Sequence, residues 1–341
     1  MTYMKREVII LLLSFSLTNI YSQTGGDNVY EFLNLSPNAY ISSLGGFNIS
    51  TFSNDPSMAT FNPALSGPLG HGSLSLNYVN YFAGINYGSI MYSHYSDSAG
   101  SFSAGINYLN YGRFERADES GNINGYFNAA EYAFNIIYSR QIDSMFNLGV
   151  NIKPIISQLE TYISLGIAMD IGASWESHDG LMSAGFVIRN LGLQLTTYSG
   201  SREKLPFEIM AGISTRLRHA PLRFSLTARH LEKYDLVYKY DEQDEQEYSK
   251  SGEVAENIMR HLIFGAELMP TENFFLAAGF NYQRRKELEY KVRSSTVGFS
   301  LGVGIKTSSV DIMISRARFH LAGSTTNFSI LLKPSLFNRL K

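Results

Sequence analysis

Residues 162–175 read YISLGIAMDIGASW, and this stretch decides the fold. Ile163, Leu165, Ile167, Met169, Ile171 and Ala173 fall on one side of an extended chain, and Ser164, Gly166, Ala168, Asp170, Gly172 and Ser174 fall on the other. Side chains of a strand alternate between two faces, whereas a helix needs its apolar residues three or four positions apart. Residues 296–306 repeat the pattern, with Val297, Phe299, Leu301, Val303 and Ile305 opposing Gly298, Ser300, Gly302 and Gly304. An apolar stripe backed by small and polar residues suits a strand that meets lipid on one side and a narrow, partly filled lumen on the other.

The same alternation predicts about fourteen strands, near 72–81, 84–94, 100–112, 126–139, 145–157, 162–176, 181–190, 205–217, 222–235, 259–269, 273–283, 296–306, 309–317 and 325–333. Every second connection is short: around Ser96, and at 140–144, 177–180, 218–220, 270–272 and 307–308. The intervening ones include the longer stretches 113–125, 191–204, 236–258 and 284–295. Short periplasmic turns alternating with long surface loops are the rhythm of an outer-membrane barrel, and they put both ends of the sheet on the periplasmic side. Closure is required, because an open edge would leave backbone amides unpaired in hydrocarbon. Tyr78, Tyr81, Tyr108, Tyr111 and Tyr282, near strand ends, fit an interfacial aromatic girdle and argue against a soluble sandwich. The expected fold is an all-β transmembrane antiparallel barrel over residues 71–337, with a short tail at 338–341.

Composition agrees. The chain holds 22 Tyr, 22 Phe and 29 Gly, and charged residues are 17%, below the roughly 25% of an ordinary soluble domain. Mean hydropathy is nevertheless near neutral at -0.09, as alternation requires and as a helical membrane protein would not show. The net charge of -2 supplies no basic surface for nucleic acid. The absence of cysteine removes disulfides, thiolate metal sites, thiol nucleophiles and a lipidated N-terminal Cys. Lys5 and Arg6, the apolar run 8–17 and Ser22 predict a cleaved signal peptide over 1–23, and the run is too short for a membrane helix.

Residues 24–70 have no sustained period and carry Pro37, Pro56, Pro63 and Pro68, which predicts an irregular segment with one or two brief helices. No catalytic, cofactor or metal constellation is present. His71, His94, His178, His219, His230, His261 and His320 are scattered, without the spacing of zinc ligands. The chain has no nucleophile elbow or phosphate-cradling loop, and a non-enzyme is expected. The acidic loop with Asp241, Glu242, Asp244, Glu245 and Glu247 is either a partner-contact surface, for protein or divalent cations, or a solvated surface loop. Arg284, Arg285 and Lys286 are candidates for meeting lipopolysaccharide phosphates, with plain exposure as the alternative. Asp170, Glu267 and Glu131 fall on inward positions, where they either line a conduit or tie down a plug.

Residues 54–65, NDPSMATFNPAL, resemble the N-terminal hatch of FadL-like barrels, in which an Asn-Pro-Ala element follows a short acidic stretch. The resemblance makes Asn54, Asp55, Pro56, Asn62, Pro63 and Ala64 the hatch motif within a plug over 24–70. With GGDNVYEFLNL at 25–35, SSLGG at 42–46 and SLNYVNYFAGINYGSIMYSHY at 75–95, the chain is similar to the PorQ family of the type IX secretion system. The detailed likeness covers the hatch and first two strands. It implies a monomeric outer-membrane barrel that holds a PorZ-like surface protein in the attachment complex with PorU and PorV. In that complex anionic lipopolysaccharide is supplied to the sortase PorU and joined to secreted cargo. A departure is the stretch 338–341 after Phe337, where such barrels commonly end on Phe. A FadL-type transporter of hydrophobic small molecules is the alternative on the same fold, and an outer-membrane hydrolase is the third reading.

Overall fold

Fourteen antiparallel strands form a closed barrel in the computed structural model, each paired with its neighbours in sequence and the last returning to the first. The structure describes residues 28–118, 120–236, 250–287, 296–320 and 323–339; the expected signal peptide lies outside them. The strands are β1 Leu74–Asn80, β2 Asn86–Ser96, β3 Gly100–Ala117, β4 Ile123–Gln141, β5 Phe146–Leu159, β6 Tyr162–Glu176 and β7 Met182–Thr196. They continue as β8 Glu208–Arg216, β9 Leu222–Ala228, β10 Leu262–Thr271, β11 Phe274–Asn281, β12 Phe299–Lys306, β13 Val310–His320 and β14 Gly323–Leu332. Four short helices accompany them: α1 Ala39–Ser43, α2 Lys250–His261, α3 Tyr282–Glu287 and α4 Pro334–Arg339. β14 therefore closes at Leu332, and Phe337 lies beyond it in α4.

The alternation seen in the sequence is the wall's two surfaces. In β6, Ile163, Leu165, Ile167 and Ile171 are exposed on the outside, while Ser164, Ala168, Asp170 and Ser174 are buried within. Exposed rings and aliphatic chains cover the outer face on strand after strand, as hydrocarbon demands. The inner face carries Asn77, Asn107, Asn135 and Asn151, all buried, and the last three are linked in a row by side-chain hydrogen bonds.

The expected connection 113–125 is largely strand. β3 and β4 stay paired from Ser101↔Ser139 up to Ala117↔Ile123, past the point at which β2 and β5 stop pairing with them. The reason is local: Phe114 stacks on Phe127 with ring centroids 5.2 Å apart, and the Arg113 guanidinium lies 3.7 Å above the Tyr126 ring. Cross-strand pairs of this kind hold a ribbon together without a third strand. At its tip, hydrogen bonds from Asn122 lower the Asp118 carboxyl below its usual range. Replacing both Phe114 and Phe127 by Ser is expected to fray the ribbon down to about the bulge after Asn110. Hydrogen exchange would then accelerate over 113–127 while the amides of the wall below keep wild-type protection.

Candidate functional site

The lumen is occupied by residues 28–71, whose path is set by small caps. The segment starts near the rim that carries the longer connections, where Val29 N–H donates to the Lys204 carbonyl at 2.8 Å. Tyr30, in the left-handed region at φ 61°, turns the chain into a 3-10 turn over Glu31–Asn34. Asn38 caps α1 by accepting from Ile41 N–H at 3.0 Å, and Gly45 and Gly46, at φ 94° and 97°, end the helix in a conformation that side chains avoid. The SSLGG stretch is thus a helix stop. Asp55 accepts from Ser57 N–H at 2.9 Å and Pro56 opens the next 3-10 turn, Pro56–Thr60. Asn62 accepts from Ala64 N–H at 3.1 Å and Pro63 opens Pro63–Leu65. An Asx cap followed by Pro satisfies the first free amides with a residue already shaped for the turn. Asn54 stays within the segment, accepting from Ser53 Oγ at 3.5 Å. The chain leaves at the opposite end, the one with the short turns, where Gly72 N–H donates to Ser93 carbonyl at 2.8 Å.

Two sides of the wall receive this hatch. On one, Asn62 Nδ2 donates to the Ile49 carbonyl at 2.9 Å and to the Ala173 carbonyl of β6 at 3.2 Å. The approach is possible because Gly149 and Gly172 leave the wall bare: a Cβ on Gly172 would meet Asn62 Oδ1, and one on Gly149 would meet the Pro63 backbone. Opposite, Gly279 leaves room for the backbone of Leu44 and Gly45. Ser300 Oγ accepts from Gly45 N–H at 3.0 Å and donates to the Ser43 carbonyl at 2.9 Å.

Between these anchor points lies a buried charge cluster. Arg189 of β7 donates to the Leu33 carbonyl at 3.0 Å, and Arg229 lies with its guanidinium 3.3 Å above the Phe47 ring. Glu208 of β8 lies between them, 2.7 Å from Arg229 Nε and 3.7 Å from Arg189 Nη1. Of the inward carboxylates, Glu267 accepts from Tyr40 Oη of the hatch at 2.6 Å and therefore ties the plug. Asp170 pairs with Lys153 of the wall at 2.6 Å, and Glu131 accepts from Tyr111 at 2.6 Å. Arg189, Glu208 and Arg229 were not among the sequence candidates. Their signal is parity: each falls on the inward set of its strand or just beyond it.

The surface candidates are divided. Asp241, Glu242, Asp244, Glu245 and Glu247 lie outside the described residues. Arg284, Arg285 and Lys286 sit on α3 but do not form one outward patch. The Arg284 guanidinium lies over Gly46, where a Cβ would be 3.1 Å from Nη2, and burial, helped by Arg229, pulls its pKa below the usual guanidinium value. Lys286 instead lies 3.9 Å from Glu256 of α2 and 5.8 Å from the Tyr282 ring centroid.

No family model matches the sequence, and no curated protein does. Solved structures do match. The Pseudomonas putida toluene transporter TodX aligns with a TM-score of 0.51 at 12% identity, over 88% of this chain and 98% of its own. The CymD monoaromatic hydrocarbon channel aligns with a TM-score of 0.51 at 11% identity, over 89% and 99%. Both are transport channels rather than enzymes, and likeness at this identity speaks to architecture alone. The chain has the fold of the FadL-like outer-membrane barrels: fourteen strands closed around an N-terminal segment.

Proposed function

We propose that this protein is a plugged outer-membrane scaffold that holds a PorZ-like surface protein, with PorU and PorV, in the attachment complex of type IX secretion. The observation that carries the reading is the depth of the hatch. It runs from Val29 at the extracellular rim to Gly72 at the periplasmic end and is tied to β5–β7 on one side and β10–β12 on the other. A transporter has to offer its cargo a path past such a segment, whereas an anchor gains rigidity from it. The β3–β4 ribbon and the α2–α3 pair stand on the extracellular side, where a surface partner docks. Export through a cleaved signal over 1–23 belongs to the same reading.

Transport of hydrophobic small molecules is the second reading, favoured by what TodX and CymD are named for. Two measurements separate the two. Affinity purification of the tagged barrel in mild detergent is expected to bring down a large exported surface protein together with PorU- and PorV-like chains. Proteoliposomes holding the purified barrel are expected to take up radiolabelled toluene no faster than empty liposomes. Saturable toluene uptake without any co-purified partner would replace the anchor by the transporter.

A further inference from the structure

The register of the outer wall draws a groove that ends on a charge. On the lipid-facing side one cross-strand row runs Arg316↔Leu301, Leu301↔Ala278, Ala278↔Ala266 and Ala266↔Phe224. The row toward the extracellular side of it is Phe264↔Phe280↔Phe299, and the row toward the periplasm is Leu268↔Leu276↔Val303. Two alanines thus lie between a ridge of phenylalanines and a ridge of aliphatic chains. The consequence is a pair of apolar hollows of about 510 and 520 Å³, which share Ala266 and Ala278, and the second is bounded by Arg316 itself.

Strand tilt makes this row descend through the membrane. Beyond Arg316 it continues Thr326, Asn80 and Asn86, the residues flanking the extracellular β1–β2 turn. In the other direction it continues from Phe224 through Thr215 to Met182, the first residue of β7 at a periplasmic turn. The row is polar where it meets the outer interface and apolar below it. From Arg316 to Phe224 are four interstrand steps, about 19 Å at the usual strand spacing. Laid obliquely, that is within reach of a chain filling one leaflet, about half of a hydrocarbon core of roughly 30 Å.

Arg316 is exposed on this lipid-facing surface, and among the described residues no carboxylate lies within ion-pair distance of it. A guanidinium on the lipid side of a barrel is unfavourable unless an anion or the interface receives it. The Arg fork matches phosphate oxygens. We infer that the outer wall of β9–β13 is a binding site for one lipid A-type molecule of the outer leaflet, its phosphate on Arg316 and one acyl chain in the groove over Ala278 and Ala266. Charge decides against a zwitterionic phospholipid, whose ammonium offsets its own phosphate.

The test is native mass spectrometry of the detergent-solubilised full barrel titrated with bis-phosphorylated lipid A. Phosphatidylethanolamine and dephosphorylated lipid A serve as comparators. Wild type is expected to hold one lipid A and to prefer it about tenfold over either comparator. Arg316→Gln should abolish the preference for the phosphorylated form. Ala278→Phe should lower retention of every acylated ligand by filling the groove. Heat-modified gel mobility identifies folded barrels, so only folded variants are compared, and Arg316→Lys, which keeps the charge, should retain part of the preference. Equal retention of all three lipids by wild type, or an unchanged preference in Arg316→Gln, would overturn the site.

Discussion

Gly172→Leu and Gly279→Leu are expected to unseat the hatch and turn a silent barrel into a conducting one. At Gly172 the new side chain starts inside the space held by Asn62 Oδ1 and the Pro63 ring, and at Gly279 inside that held by the Leu44–Gly45 backbone. The strands cannot yield, since Gly172 is paired on both sides, to Gly149 and Val187, and Gly279 to Gly265 and Ser300. Overpacking a close contact costs about 1–3 kcal/mol when surroundings relax, and more when backbone opposes backbone. The hatch is the partner with fewer restraints, so it moves. In planar bilayers wild type should show no steady current, and each variant should show opening events. Gly125→Leu is the control, because nothing lies within 4 Å of a Cβ there. A Gly279→Leu barrel that folds, melts like wild type and stays silent would show that the hatch does not depend on that seat.

The sequence made the wall legible and left its filling obscure, for a physical reason. A lipid-facing strand must be apolar at every second position, so runs such as 162–175 announce strand, face and environment together. The hatch has no period, because it is held by single caps and close approaches. Asn62-Pro63-Ala64 stood out only by its resemblance to a hatch motif, and its seat on Gly149 and Gly172 depends on which strands stand beside it. The β3–β4 ribbon escaped notice because 113–125 read as a long connection between two strands, while the pairing of Phe114 with Phe127 needs the register to be seen. Arg284 looked like a surface base beside Arg285 and Lys286. One turn of α3 was enough to send it toward Gly46 instead.

Glu208→Ala is expected to be the most destabilising single change in the wall. Glu208 is 1% exposed and lies between Arg189, 2% exposed, and Arg229, 9% exposed. Removing it leaves two guanidinium groups sharing a buried site without their carboxylate, and breaking a buried pair in this way costs about 3–5 kcal/mol. The loss falls on the hatch as well as the strands, since Arg189 donates to the Leu33 carbonyl and Arg229 covers Phe47. Denaturant unfolding in micelles should show the fall in stability. Limited proteolysis should cut residues 30–66 in Glu208→Ala while the strands remain protected. Glu208→Gln keeps an acceptor for Arg229 Nε without the charge and should fall between the two. Adding Arg229→Met to Glu208→Ala removes one of the stranded cations and should recover part of the stability, but not the hatch contact on Phe47. If Glu208→Ala unfolds within about 0.5 kcal/mol of wild type, the surface-like value for a solvated pair, the cluster is wetter than its burial implies and does not hold the hatch.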